Sequence, residues 1–235
     1  MIKAVIASGL YSDAQEYLKS RGIEVLTFPD NKDVDPRVAH HADLSFFFDG
    51  SDTLFVASEF SEHEKMLSKY CKNIVFINKK LGNKYPDDVL LNCVCVGKHF
   101  ICNKNTVASE VFDKMKNSGY NIINVKQGYT KCSVIPVSEN ALITDDESIF
   151  NACSDVGIDV LKVSKGSVVL DGFDYGFVGG TTGKISASEI LFNGSITEHS
   201  DFAEIDLFLK KYGVKAVCFG GQLKDIGSII PIGGN

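Results

Sequence analysis

Long apolar runs and an excess of positive charge are both missing from this 235-residue chain. No apolar run approaches the roughly 20 residues that a membrane-spanning helix needs. Acidic residues outnumber basic ones by 30 to 24, which gives a formal net charge of −6 at pH 7. We therefore expect neither a membrane nor a nucleic acid as partner. The hydrophobic content of 44% is typical of a soluble globular protein.

The cysteine spacing of a disulfide framework is also missing, since the seven cysteines are an odd number without regular intervals. The first eight residues are too short for a signal peptide and are typical of a strand. Both features predict a reducing, cytoplasmic location. Cys93 and Cys95 would point to opposite faces of a strand, so we expect them to be structural. His40, His41 and Asp43 could hold a metal, but no other segment offers matching ligands, and we predict no metal and no cofactor.

A unit of roughly forty residues recurs along the chain, which indicates one ring-like or stacked architecture rather than several domains. Each unit is predicted to begin with a polar residue that starts a short strand, followed by an apolar strand, an amphipathic helix and a third strand. Side by side, these starts would bring a His, a Cys and several Asp residues together, as in an active site. The starts are His41-Ala42-Asp43, Asn92-Cys93, Cys132-Ser133, Asp174-Tyr175 and Asp225-Ile226-Gly227-Ser228.

The unit that starts at Cys132 shows the pattern most clearly. Residues 132–137 and 141–144 are predicted strands, and residues 159–163 form the third. Asp145 or Asp146 can cap the helix between them, which Gly157 ends. In the other three complete units the predicted strands are 44–48, 53–57 and 74–77, then 93–96, 100–102 and 122–125, then 176–180, 190–192 and 216–219. Their predicted helices are 61–70, 106–117 and 201–212, with Gly119 ending the second.

The fifth unit is split between the two ends of the chain. The strand-like run 228–232 has no following helix, and the N-terminal segment supplies a strand (3–7), a helix (12–19) that Gly22 ends, and a strand (25–28). We expect the ends to close a ring, which removes exposed sheet edges. The alternative is an α/β domain with mixed sheets and no symmetry. The predicted fold is one α/β domain, a five-bladed propeller of ββαβ repeats, with approximate blades 38–91, 92–131, 132–173, 174–224, and 225–235 plus 1–37.

Four short segments carry chemically reactive residues in a fixed cyclic order. They are KCSVIP at 131–136, GFDYGF at 172–177, DIGS at 225–228 and HADLSF at 41–46. In this order they resemble the nucleophile strand, the guanidinium-gripping strand, the acid-x-Gly-Asp segment and the H-x-D-x-x-F segment of the pentein family. That family of guanidino-group-modifying enzymes includes arginine deiminases, agmatine deiminases and dimethylarginine dimethylaminohydrolases. The order around the ring agrees but the chain starts in a different blade, so it resembles a circularly permuted member.

The resemblance implies a cysteine-dependent hydrolase that acts on a small guanidino compound. Cys132 would attack the guanidinium carbon and form a thiouronium intermediate. Asp174 and Asp225 would hold the planar cation by charge-assisted hydrogen bonds. His41 would protonate the leaving amine and then activate water. Asp43 would bind the guanidinium or orient His41, and Ser228 would contact the ligand from the segment that carries a second acid in the family. Asn92 is expected to face the ligand from its position in the repeat, since the corresponding blade of the family has no catalytic residue.

The chain departs from the family pattern at Ser228, where the family has an Asp. It also contains only two arginines, Arg21 and Arg37, so an obvious partner for a substrate carboxylate is missing. An amine-like substrate is therefore favoured over a free amino acid, although Arg37 lies near His41 in the sequence. The alternative is a non-catalytic pentein that binds a macromolecular partner or a small ligand, in which Cys132 is an inert buried thiol. The sequence is compatible with an oligomer.

The glycine-rich run 179–184 is similar to a phosphate-binding loop but does not meet its pattern. Val178 stands where the first Gly is required, and Ile185 follows Lys184 where Ser or Thr is required. We expect this run to be a flexible loop over the mouth of the ring that closes over the substrate.

Overall fold

Residues 2–9 and 12–233, which the computed structural model describes, form five three-stranded sheets. In each sheet an inner strand pairs antiparallel with a middle strand, and the middle strand pairs parallel with an outer strand. A helical segment joins each middle strand to its outer strand, because a parallel pair needs a crossover connection. The described residues thus contain the predicted ββαβ unit five times.

The strands are short, and the helices span one turn (α2 and α3) or two to three turns (the other four). The strands are β1 (Ala4–Ile6), β2 (Glu24–Leu26), β3 (Phe46–Phe48), β4 (Thr53–Val56), β5 (Asn73–Phe76), β6 (Val94–Val96), β7 (His99–Cys102), β8 (Asn121–Asn124), β9 (Val134–Ser138), β10 (Ala141–Thr144), β11 (Asp159–Lys162), β12 (Thr182–Ser186), β13 (Glu189–Phe192), β14 (Lys215–Cys218) and β15 (Ile230–Ile232). The α-helices are α1 (Ser12–Ser20), α2 (Ala42–Ser45), α3 (Glu64–Leu67), α4 (Ser109–Asn117), α5 (Glu147–Ser154) and α6 (Phe202–Lys211).

The two ends of the chain contribute to one sheet, of order β15-β1-β2. Ile230 lies opposite Ile6 in the antiparallel pair of β15 with β1. Inner strands of neighbouring sheets pack side by side at four boundaries: β6 with β9, β9 with β12, β12 with β15, and β15 with β3. Between the sheets of β3 and β6, the rings of Phe47 and Phe100 lie 5.6 Å apart. This arrangement confirms the prediction that the N-terminal segment completes the last repeat unit.

The middle strands lie at the centre of the core. All four residues of β4 and all four of β10 are buried, so these strands carry apolar runs instead of alternating polar residues. Phe55, Phe100 and Phe192 are among the largest fully buried side chains. Each contributes roughly 1.5–3 kcal/mol by its removal from water. None of the helices in the described ranges combines the length and the apolar character needed to cross a membrane.

Glycines end three helices as predicted. Gly22, Gly119 and Gly157 follow α1, α4 and α5, with φ angles of 71°, 79° and 85°. Asp146, one of the two predicted caps, accepts hydrogen bonds from the backbone N–H groups of Ser148 and Ile149 at the start of α5. Local rules of helix termination therefore set these boundaries.

Three details differ from the sequence prediction. The polar residues expected to start the inner strands lie before them, since His41 precedes the short helix α2, and Cys132 lies in a turn two residues before β9. The predicted strand 176–180 is wrong, because β12 begins at Thr182 and a 3₁₀ turn, Gly179–Thr181, precedes it. The predicted helix 61–70 is a 3₁₀ segment, Ser58–His63, followed by the single turn of α3.

Candidate active site

Four of the predicted site residues meet at one point, which we call the hub: Asp43, Asn92, Cys132 and Ser228. Each lies just before the inner strand of its own unit, in front of β3, β6, β9 and β15 respectively. All four are buried, with exposed fractions of 0–3%. The repeat thus brings equivalent positions of four units together, as the sequence pattern indicated.

Asn92 holds the loop that carries Cys132. Its Oδ1 accepts hydrogen bonds from the backbone N–H groups of Lys131 (2.8 Å) and Cys132 (3.2 Å). Its Nδ2 donates to the carbonyl oxygen of Asp43 (3.1 Å) and to Cys132 Sγ (3.0 Å). The amide group of Asn92 therefore fixes the position of the thiol relative to the helix α2.

The carboxylate of Asp43 is the centre of the hub. Its Oδ2 accepts hydrogen bonds from the backbone N–H (2.9 Å) and the Oγ (2.6 Å) of Ser228, and from Cys132 Sγ (3.3 Å). Its Oδ1 is buried and has no hydrogen-bond partner among residues 2–9 and 12–233. Because a buried charged oxygen without a partner is costly, this atom is a natural acceptor for a ligand N–H.

His41 and Asp225 form a second buried pair beside the hub. His41 Nδ1 lies 3.8 Å from Asp225 Oδ1, and His41 Nε2 has no hydrogen-bond partner in the described part of the chain. Asp225 accepts hydrogen bonds from the backbone N–H groups of Phe177 (3.0 Å) and Gly227 (3.1 Å). The imidazole thus has one nitrogen near a carboxylate and one that is free for a reactant.

The glycine run that we expected to be a flexible lid is buried within the site, so that expectation is wrong. The N–H of Gly180 donates to the carbonyl oxygen of Cys132 (2.9 Å). A Cβ on Gly180 would lie 2.1 Å from Asp225 Oδ1, and one on Gly179 would lie 2.5 Å from the carbonyl oxygen of Val134. Glycine is required here because the backbone passes against both the thiol loop and the carboxylate.

Burial and mutual repulsion set the ionisation of these groups. Burial, followed by the charges of Asp43 and Asp225, raises the pKa of the Cys132 thiol well above its usual value. Burial and then the charge of Asp43 raise the pKa of Asp225 to about 7. Burial lowers the pKa of His41. These groups therefore favour a neutral thiol, and a cation placed among them would favour the thiolate.

A cavity of about 660 Å³ opens onto these groups, and His41, Cys132 and Asp225 lie on its wall. Its volume is within the usual range for small-molecule sites. Part of the remaining wall is aromatic: the rings of Tyr129 and Phe177 stack at 5.6 Å, and Tyr85 packs against Tyr129 at 6.1 Å. Aromatic faces and carboxylates together suit a cationic ligand.

Asp174 does not reach the hub. It is exposed and lies in a turn at the wall of the cavity, eight residues before β12. Arg37 also lines the cavity, but its guanidinium is occupied: it pairs with Asp35 (2.6 Å), donates to the carbonyl oxygen of Gly172 (2.8 Å) and lies 4.1 Å from the Phe173 ring centre. Arg37 is thus already engaged within the protein.

Sequence reasoning missed two polar groups near the site. Lys131 donates from Nζ to Ser228 Oγ (2.8 Å). Asp88 is buried on the cavity wall, where its Oδ2 accepts a hydrogen bond from Tyr129 Oη (2.5 Å) and its Oδ1 has no partner within the described ranges. Lys131 could have been found from the sequence, because it directly precedes the predicted nucleophile Cys132. Asp88 lies in a loop between units, and no repeat position marks it.

Comparison with known proteins identifies the family. The chain belongs to a family of unknown function, DUF6873, whose profile matches residues 5–230. No curated protein matches the sequence.

Solved structures are similar to the chain over nearly its whole length. They include inosamine-phosphate amidinotransferase from Streptomyces griseus (9% identity, TM-score 0.58, 98% of this chain and 93% of that chain). A dimethylarginine dimethylaminohydrolase variant from Pseudomonas aeruginosa, complexed with citrulline, has 10% identity and a TM-score of 0.56, covering 94% and 92%. Agmatine deiminase from C. jejuni has 12% identity and a TM-score of 0.51, covering 92% and 75%. The predicted pentein fold is thereby confirmed.

The close approach of Gly180 to Asp225 gives a stability prediction. Gly180→Ala should lower the free energy of unfolding by about 2–3 kcal/mol, because its Cβ would overlap the Asp225 carboxylate. Gly220→Ala is the matched control, since a Cβ there meets nothing within 4 Å. Urea unfolding followed by circular dichroism measures both. Equal stability of the two variants would contradict the packing of the glycine run.

The raised pKa of Asp225 predicts a pH dependence of stability. With a folded-state pKa of about 7 and an unfolded value of about 3.9, Asp225 binds more protons in the folded state between these pH values. Its contribution to the free energy of unfolding is therefore full below about pH 4 and is lost as the pH rises towards 7. The free energy of unfolding of the wild type should thus decline over this range, and Asp225→Asn should remove up to about 1.4 kcal/mol per pH unit of that decline. Urea unfolding at pH 4.5, 5.5 and 6.5 measures the slope for both proteins. The exposed Asp155→Asn should keep the wild-type slope; an unchanged slope in Asp225→Asn would contradict the raised pKa.

Proposed function

We propose that this protein is a cysteine-dependent enzyme that hydrolyses a C–N bond in the guanidinium group of a small molecule. The observation that carries the proposal is the position of Cys132 on the wall of a cavity, beside two buried carboxylates, with Asp43 Oδ1 and His41 Nε2 both unpartnered in the described chain. The fold, which is shared with guanidino-modifying hydrolases and amidinotransferases, supports the same class of reaction.

In the first half of the reaction, a guanidinium binds against Asp43 and Asp225. Its charge offsets their repulsion of the thiolate, so the Cys132 proton is released to His41. The Cys132 sulfur then forms a bond to the guanidinium carbon and gives a tetrahedral adduct. The bond from that carbon to the leaving nitrogen breaks, His41 returns the proton to the nitrogen, and a thiouronium remains on Cys132.

In the second half, water replaces the amine that has left. His41 takes a proton from the water, whose oxygen forms a bond to the thiouronium carbon. The carbon–sulfur bond then breaks, His41 gives its proton to the sulfur and the hydroxyl proton of the adduct passes to solvent, which regenerates the thiol form of Cys132 and releases a ureido product. Asp225, 3.8 Å from His41, stabilises the imidazolium that forms in each half.

The contacts of Arg37 favour a substrate without a free carboxylate. Arg37 is already bound to Asp35 and to the carbonyl oxygen of Gly172, so it does not offer an unoccupied anion site. We propose that Asp174 contacts the outer part of the substrate, while Asp43 and Asp225 contact the guanidinium and Asn92 and Ser228 hold these groups in place.

We further propose that the whole chain is one domain whose five sheets close into a propeller. The pairing of β15 with β1 and the contacts between inner strands support closure. The order Cys132, Asp174, Asp225, His41 around that ring is the order of the family's motifs from a different starting blade, which supports a circular permutation.

A non-catalytic pentein is the second candidate, and two observations favour it. Ser228 stands where the resemblance places a second acid, and burial raises the pKa of the Cys132 thiol, which favours its neutral form. In that case the same cavity binds a cation without reacting with it.

A pair of alkylating reagents of equal size separates the two candidates. Chloroacetamidine is a cation that resembles a guanidinium, and chloroacetamide is its neutral isostere. We expect the cation to label Cys132 at least tenfold faster than the neutral reagent at pH 7.5, since each pKa unit of thiol stabilisation gives a factor of about ten. Peptide mass spectrometry gives the rate at each cysteine, and the exposed Cys218 provides an internal comparison without carboxylates at hydrogen-bond distance among the described residues.

Two variants test which carboxylate is responsible for the preference for the cationic reagent. Asp43→Asn should reduce the preference for the cation to about threefold or less, because the amide keeps the shape and loses the charge. Asp174→Asn should leave the preference unchanged, since the small reagent does not extend to the mouth of the cavity. Equal labelling of Cys132 by both reagents in the wild type would contradict the proposed enzyme and favour the non-catalytic candidate.

A further inference from the structure

Lys131 connects to the reactive thiol through three hydrogen bonds and has no part in the mechanism described above. Its Nζ donates to Ser228 Oγ (2.8 Å), Ser228 Oγ donates to Asp43 Oδ2 (2.6 Å), and Cys132 Sγ donates to the same Oδ2 (3.3 Å). Lys131 and Cys132 are neighbours in the chain, yet their side chains reach Asp43 along different routes.

The first consequence concerns the Ser228 hydroxyl proton. A hydroxyl has one proton and two lone pairs, and the proton could go to Asp43 Oδ2 (2.6 Å) or to the carbonyl oxygen of Gly179 (3.1 Å). The Lys131 ammonium donates a hydrogen bond to one lone pair of Oγ, which polarises the hydroxyl and strengthens the hydrogen bond that it donates to the carboxylate. With Oδ2 held in this way, Oδ1 is left for the substrate.

The second consequence concerns charge. The groups that interact with the Lys131 ammonium are Asp43, Cys132 and Asp225, and burial lowers the pKa of the lysine while these groups oppose that change. By the same interaction, the ammonium lowers the pKa of Asp225. Lys131 thus supplies positive charge to a site that otherwise contains two carboxylates and a thiol.

Lys131 acts from outside the substrate cavity. It lines a second cavity of about 340 Å³, together with Lys184 and apolar residues of the inner strands β3 and β15. His41, Cys132 and Asp225 line the larger cavity. The lysine therefore lies behind the hub relative to the substrate, where it can influence Asp43 without contact with the reacting atoms.

We propose that Lys131 is a positioning residue, whose ammonium is held at Ser228 beside Asp43 and Cys132, where its positive charge offsets the charge of Asp43 and so favours the thiolate of Cys132. This inference rests on the proposed role of Cys132 as the nucleophile. It also accounts for Ser228 at the position where the resemblance places an Asp. The hydroxyl transmits the charge of Lys131 to Asp43, whereas a carboxylate there would neutralise the lysine and repel Asp43.

The test measures the ionisation of Cys132 without any substrate. The rate of alkylation by neutral chloroacetamide is followed at Cys132 from pH 7 to pH 10 by peptide mass spectrometry, in Lys131→Met, Lys131→Arg and Ser228→Ala. Lys184→Met is the matched control, because Lys184 lines the second cavity but donates to the carbonyl oxygens of Val137 and Ala187. Near-ultraviolet circular dichroism and urea unfolding confirm that each variant is folded.

We expect Lys131→Met to slow the labelling of Cys132 at least tenfold at every pH below the thiol pKa, which corresponds to a rise of about one pKa unit. Lys131→Arg, which keeps the charge, should stay within about threefold of the wild type. Ser228→Ala should resemble Lys131→Met, and the double variant should be no slower than either single one, since both act on one pathway. Lys184→Met should have no effect.

Three results would overturn the inference: wild-type labelling in folded Lys131→Met, equal slowing in Lys184→Met, or additive losses in the double variant. If Lys131→Met does not fold, the comparison of Ser228→Ala and Lys131→Arg with the wild type decides the question. Failure of the proposed function is a separate result, because the preference for chloroacetamidine over chloroacetamide is measured in the wild type alone.

Discussion

The site depends on one buried carboxylate, that of Asp43. Its burial is tolerated because Ser228 donates two hydrogen bonds and the Cys132 thiol donates a third to the same oxygen. These partners come from two other repeat units, so the carboxylate also joins the segments before β3, β9 and β15. The other oxygen has no partner in the described residues and is therefore an acceptor for the N–H of the proposed ligand.

Electrostatics then connects binding to reactivity. Burial and the two carboxylates raise the pKa of the Cys132 thiol, which lowers its reactivity towards neutral electrophiles. A guanidinium reverses this balance because it pairs with the carboxylates and removes their repulsion of the thiolate. In the proposed reaction, the charge that a substrate brings is therefore part of the catalytic apparatus, and selectivity for cations follows from the same groups that activate the thiol. In the proposed role of Lys131, its ammonium adds positive charge to this balance from the far side of the hub.

The repeat could be predicted from the sequence because each of its elements is determined by local sequence signals. Apolar runs, helix-ending glycines such as Gly157 and the cap at Asp146 each depend on a few neighbouring residues. The grouping of Cys132, Asp43, Asn92 and Ser228 followed from their equivalent positions in successive units. Asp174 was placed by the same reasoning, but the strand β12 begins eight residues later, so Asp174 lies at the mouth of the cavity.

What sequence reasoning missed depends on contacts between distant segments. The run at Gly179 and Gly180 has the composition of a mobile loop, yet it is buried because it packs against Cys132 and Asp225, more than forty residues away on either side. The direction of the Lys131 side chain, towards Ser228 and away from the substrate cavity, likewise follows from packing that no local pattern contains.

The most direct test of the account is a crystal structure of the protein after reaction of Cys132 with chloroacetamidine. The account predicts that the amidinium nitrogens of the adduct lie at hydrogen-bond distance, about 3 Å, from Asp43 Oδ1 and from the Asp225 carboxylate, with His41 Nε2 facing the amidine carbon. An adduct whose amidinium points into solvent and contacts neither carboxylate would contradict the claim that this hub recognises a guanidinium.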